Sequence, residues 1–289
     1  MRWEGDRESD NIEDRRGGGG GGFGFGGGSI GIGTIIIAVI ASWFFGVSPS
    51  TILNLLSGDG GNPAQVQSTQ SHPPANDSET RFVRTVLAYT EDVWSQIFQA
   101  NGARYDPPTL VLFTRRTPTA CGLGQSATGP FYCPADQKVY IDLAFFNLMQ
   151  QRFHVTGEFS QAYVIAHEVG HHVQNLLGIS DKVDAARRHA SEAQANALSV
   201  RLELQADCFA GVWANHANQM RNILEQGDVE AALNAASAIG DDTLQQQSQG
   251  VVVPDSFTHG TSAQRVRWFT RGIQSGRVEQ CNTFDAGQL

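Results

Sequence analysis

The sequence predicts an α+β domain set behind a single N-terminal transmembrane helix. Three observations predict it: apolar residues at helical spacing from Arg81 onward, short strand-like runs bounded by turn residues, and one isolated, uncharged apolar run near the N-terminus. With 289 residues the chain can bury a substantial core in one large or two small domains. Its net charge of −9 argues against a general nucleic-acid binder. No basic stripe, Walker loop, Rossmann fingerprint or internal repeat is visible.

Residues 1–28 mix both charge signs and then become almost pure glycine. Such a segment buries too little to offset its ordering entropy, so a disordered cytoplasmic tail is expected. Residues 29–56 hold the apolar run Ile30 to Val47, expected to be an uncleaved membrane anchor; it starts late for a signal peptide and no Ala-x-Ala site follows. Arg2, Arg7, Arg15 and Arg16 precede the run, and the next Lys or Arg is Arg81. The positive-inside rule then places the N-terminus in the cytoplasm and the rest outside: a single-pass protein of the cell (inner) membrane with a periplasmic domain. Residues 57–78, rich in Gly, Pro, Ser, Asn and Gln, read as a flexible linker.

Residues 79–289 read as the globular domain. Phe82, Val83, Val86, Leu87, Val93, Trp94 and Ile97 recur at helical spacing up to Asn101-Gly102. Strand-like runs follow at Thr109–Phe113, Gly129–Tyr132 and Lys138–Ile141, then a helix start near Asp142. The Lys138–Ile141 strand or a neighbour is expected to be an edge that pairs with an extended peptide. Cys121 and Cys133 flank the Gly-Pro-rich connection and can close a disulfide, leaving Cys208 and Cys281 as a second pair; four cysteines allow three pairings. No Cys-x-x-Cys spacing supports a cysteine zinc site.

The chemistry concentrates in Tyr163–His172, which contains His167-Glu168-Val169-Gly170-His171. Apolar residues on both sides predict a partly buried helix, with Gly178 as its stop. Residues four apart share a helical face, so both imidazoles can close on one Zn2+ ion per chain. Glu168 lies beside them, suited to take a proton from a zinc-activated water rather than to bind metal. A catalytic zinc needs a third ligand, and Gln174 and Leu177 stand where the extended motif would have Gly and His. Two distant carboxylates are candidates. Glu203 lies in an apolar helix, where burying it and Asp207 is costly without partners; Glu192 lies in a polar stretch, where a solvated face is expected. Asp207, four residues after Glu203, can orient a ligand histidine from behind.

His167-Glu168-x-x-His171 followed by Glu203-x-x-Ala206-Asp207 resembles the membrane-associated zinc peptidases of the HtpX type, with the Glu as third ligand. In that group a His-Pro segment precedes an Arg by six residues; His259 and Arg265 match, with Gly260 in place of Pro. The resemblance implies that His259 sits near the zinc to stabilise an oxyanion and that Arg265 supports the carboxylates. Gly129–Pro134, Val139–Asp142, His167–Gln174, Glu203–Gly211 and His259–Ser262 with Gln264-Arg265 together resemble the neutral zinc metallopeptidase family over about the whole chain. That resemblance implies a zincin-like metallopeptidase domain with a small sheet, acting on a peptide or protein substrate. The competing reading is a non-catalytic, zinc-stabilised envelope scaffold, which has no need of Glu168. No protein partner is legible.

Overall fold

The computed structural model describes residues 1–16, 77–126 and 129–289. The expected membrane helix, and all but the last two residues of the expected linker, lie outside these. Among the described residues no helix is long and apolar enough to cross a membrane.

The chain enters with a short strand, β1 (Ile12–Asp14), and continues after residue 76 with helix α1 (Ser78–Ala100), which Asp77 caps by accepting from the Thr80 amide. Strands β2 (Thr109–Leu112), β3 (Arg116–Thr119), β4 (Gly122–Gln125), β5 (Phe131–Cys133) and β6 (Lys138–Ile141) follow, then α2 (Ala144–Phe153). The remainder is helical: α3 (Glu158–Leu176), α4 (Ile179–Arg187), α5 (Glu192–Arg221), α6 (Asp228–Ala238), α7 (Asp241–Gln249) and α8 (Ser262–Ser275).

The main sheet runs β1-β2-β6-β5, with β1, β2 and β6 parallel and β5 antiparallel; β3 and β4 form a separate hairpin. Both faces of the central strands are buried, which suits the apolar runs Leu110–Leu112 and Val139–Ile141. The edge near the helices is β5, not β6, because β6 is hydrogen-bonded on both sides. The disulfide Cys121–Cys133 ties this edge strand to the β3–β4 hairpin, and Cys208–Cys281 ties the C-terminal segment to α5.

The expectation of a disordered tail through residue 28 fails for residues 1–16. Trp3 is 6 % exposed and meets the Phe82 ring edge-on at 5.4 Å. Arg7 reaches Glu91 and Asp92 on α1 at 3.0 and 2.7 Å, Ser9 is buried against Glu91, and β1 pairs with β2 in the register Ile12↔Leu110. Low apolar content is no bar here, since the segment is anchored by backbone pairing and matched charge rather than by a core of its own.

Two glycine contacts set the helix layer behind the sheet. A Cβ on Gly170 of α3 would lie 3.0 Å from the Ala206 carbonyl of α5, so the two helices touch nearly backbone to backbone there. Gly211 of α5 and Gly272 of α8 face each other more closely still: a Cβ on Gly272 would fall 2.0 Å from the Cys208 carbonyl. These approaches pack three helices closely around one site.

Candidate metal centre

Helix α3 carries the His-Glu-x-x-His motif through the core. Tyr163, Ile165, Ala166, Val169 and Val173 pin its buried faces, and Gly178 ends the segment in a left-handed conformation (φ 67°). His167 and His171 therefore share a face, their ring centroids 4.8 Å apart. Helix α5 presents Glu203 to both, with Oε2 3.1 Å from His167 Nε2 and Oε1 3.4 Å from His171 Nε2. The three donor atoms lie within 4.8 Å of one another. Tetrahedral zinc holds ligands at about 2.0–2.1 Å, which sets ligand atoms roughly 3.3 Å apart, so this nitrogen–nitrogen–oxygen set fits the ion. Glu192 is exposed in the first turn of the same helix and takes no part.

Each ligand histidine is also held from behind. His167 Nδ1 lies 2.9 Å from Asp207, and His171 Nδ1 lies 2.9 Å from the Gln174 carbonyl oxygen, whose amide donates to the Leu202 carbonyl at 2.7 Å. These contacts fix Nδ1 as the donor nitrogen and leave each Nε2 lone pair for a metal. Gln174 is one residue that sequence reasoning missed. Its place one turn after His171 in an apolar helix was the available signal, since a buried Gln needs partners.

Asp207 is fully buried and accepts from Tyr163 at 2.5 Å, from His167, and twice from Arg265, each at 2.9 Å. Arg265 of α8 is 2 % exposed. Burial works against a charged Asp207, but the Arg265 guanidinium and His167 outweigh it and hold the carboxyl down at about 2. Glu203 is likewise held well below the usual carboxylate range, since His171 and His167 outweigh its burial. Glu168 moves the other way: burial pushes its carboxyl up, only partly offset by the two histidines.

The site opens into a cleft of about 430 Å³ lined by His167, Glu168, His171, Glu203, His259 and Arg265. Apolar side chains, Phe145, Leu148, Ile239 and Leu244, also line it, and β5 borders it through Phe131 and Tyr132. His259 reaches the cleft on the loop before α8. Asp241, at the start of α7, organises that loop: Oδ2 accepts from the amides of Thr258, His259 and Gly260 at 2.7, 2.6 and 3.0 Å, and Oδ1 lies 3.2 Å from His259 Nδ1. Burial opposes a charged His259 ring and Asp241 outweighs it, so its pKa is raised.

His167, Glu168, His171, Glu203, Asp207, His259 and Arg265 thus fall in or directly behind one cleft. Three other histidines lie elsewhere: His154 and His189 are exposed, and His216 bonds the Gly276 carbonyl. His172 is fully buried between Tyr132 and the Asp106 carbonyl and ties α3 to the sheet.

An uncharacterised protein of Escherichia coli, YpfJ, is 53 % identical over 290 residues, covering 98 % of this chain and 99 % of the relative. An uncharacterised protein of Mycobacterium tuberculosis is 40 % identical over 219 residues, covering 72 % and 73 % of the two chains. No solved structure gives a significant match. A family model described as "Putative neutral zinc metallopeptidase" matches residues 1–284, and the chain belongs to that family.

Proposed function

We propose that this chain is a zinc-dependent endopeptidase whose ligands are His167, His171 and Glu203 and whose general base is Glu168. The observation that carries the reading is Glu168: it lies buried in the cleft beside the three ligand side chains without belonging to them, a placement that a purely structural zinc site has no use for. Zinc, when bound, lowers the pKa of a water and polarises a carbonyl. Glu168 takes the proton of the attacking water on its carboxylate and delivers it to the leaving amine; a carboxyl raised by burial is suited to both transfers. His259, in its protonated form with Nδ1–H held by Asp241, donates from Nε2 to the developing oxyanion. Asp207 and Gln174 keep the ligand rings in one tautomer, and Arg265 keeps Asp207 charged.

An extended substrate adds to the free edge of β5, and the wall of Phe145, Leu148, Ile239 and Leu244 selects an apolar side chain next to the scissile bond. The two disulfides support a reading in which the domain works in an oxidising compartment.

The test incubates the zinc-loaded full-length chain and its Glu168→Gln variant with an unstructured protein and follows the fragments by mass. Cleavage by wild type alone, at sites flanked by apolar residues, is the expected result. Zinc bound by both proteins with no cleavage by either would favour a zinc-stabilised scaffold. Zinc lost from the Glu168→Gln variant would mean that Glu168 is a ligand and the assignment is wrong.

A further inference from the structure

Residues 1–16 dock on the same domain that carries the candidate metal site. The strand β1 supplies an outer strand to the sheet, its carbonyl and amide flanks closed by Leu110 N–H to Asn11 at 2.9 Å and Arg15 N–H to Leu112 at 2.8 Å. Arg2 N–H bonds the Ile223 carbonyl at 2.8 Å, beyond the far end of α5, so the segment crosses the domain from the α5–α6 corner to the sheet. Glu13 is gripped by Arg15 and Lys138 of β6 at 2.8 and 2.9 Å. The buried Arg16 closes the segment on Asp14, and on Thr80 and Asp77 at 2.7 and 3.4 Å.

The last of these contacts has a topological consequence. Arg16 and Asp77 touch, so residues 17–76 leave and rejoin the domain at one spot on its surface. A chain that crosses a bilayer once has its two ends on opposite faces.

We infer that residues 1–16 and residues 77–289 occupy the same compartment. A cytoplasmic N-terminus with an external catalytic domain is the arrangement that this inference opposes. If the disulfides form in the cell, the N-terminal strand is outside the cytoplasm together with the metal site, although four arginines precede the apolar run. The inference is independent of the peptidase reading, since it uses only the docking of β1.

The test is side-specific labelling of the full-length chain in bacterial spheroplasts. Two single-cysteine reporters are made at exposed positions, Glu4→Cys beside Trp3 and Glu230→Cys on α6, each probed with a membrane-impermeant maleimide before and after lysis. The expected result is the same pattern at both positions, whether both react in intact spheroplasts or both only after lysis, with an intact mass that still includes residues 1–16. Reaction at Glu230→Cys alone before lysis would put the two segments on opposite faces and overturn the inference. So would an intact mass showing that residues 1–16 have been cleaved away. Trp3→Ala adds a check that does not depend on a membrane: a docked strand predicts a lower melting temperature for the metal domain, and an unchanged one would mean that the segment does not belong to it.

Discussion

The metal centre and the N-terminal strand both rely on paired charge, but they use it in opposite surroundings. At the metal centre Asp207 and Arg265 are almost wholly withdrawn from water, 0 % and 2 % exposed, and each is satisfied several times over. Along the N-terminal strand, Arg7, Glu13 and Arg15 stay partly in solvent and trade ion pairs across the surfaces of α1 and β6. In the first region the pairs fix the orientation of the candidate metal-binding groups, and loss of one partner strands a buried charge. In the second, exposed pairs contribute little individually, and the holding is done by Trp3 and the β1–β2 backbone pairing.

Four substitutions can break or sharpen this contrast. Arg265→Met should cost the most, about 3–5 kcal/mol, because Asp207 would be left buried and charged without its main partner; chemical denaturation measures it, and a loss under 1 kcal/mol would show that the pair is not the lock described. Trp3→Ala should cost about 3 kcal/mol by vacating the contact with Phe82, read by the same method. Asp207→Asn keeps the shape but weakens the hold on the His167 tautomer, and should lower zinc affinity about 10–100-fold in competition with a chelator. Unchanged affinity would mean that the ring needs no orienting partner.

The smallest effect belongs to Glu13→Gln, and it depends on pH. Hydrogen bonds from Arg15 and Lys138 hold the Glu13 carboxyl at about 2, below its ordinary 4.5. A depressed folded-state pKa stabilises above the unfolded value and is lost as protons bind, so this contribution is present above about 4.5 and fades as pH falls toward 2. Melting temperatures of wild type and Glu13→Gln should therefore differ near neutrality and converge in that acid window. A difference that grows with acidity would have the wrong sign for the ion pairs described.

What the sequence disclosed follows the same division. The helices and the ligand trio were legible because helical periodicity is strong there and because carboxylates in an apolar helix demand partners; Glu203 and Asp207 could be picked out on that ground alone. Gln174 and Asp241 were not, since neutral or exposed-looking polar residues carry no comparable signal until their backbone partners from other elements are known. Strand β1 was the largest omission. Ile12–Asp14 is a short polar strand with no alternation, and its partner β2 lies almost a hundred residues later, so local pattern could not reveal the pairing. Sequence could not choose between the Lys138–Ile141 strand and its neighbour as the edge, because strand order is a tertiary property; the edge is the neighbour, β5.

The central claim, one zinc held by two histidines and a glutamate, is tested most directly by X-ray absorption at the zinc edge on the purified, full-length, zinc-loaded chain. The account predicts nitrogen and oxygen neighbours at about 2.0–2.2 Å with no sulfur, and an imidazole signature corresponding to two rings. It also predicts that Glu203→Ala loses stoichiometric zinc while Glu192→Ala keeps it. Sulfur neighbours near about 2.3 Å, or an unchanged spectrum and zinc content in Glu203→Ala, would contradict the site assigned here.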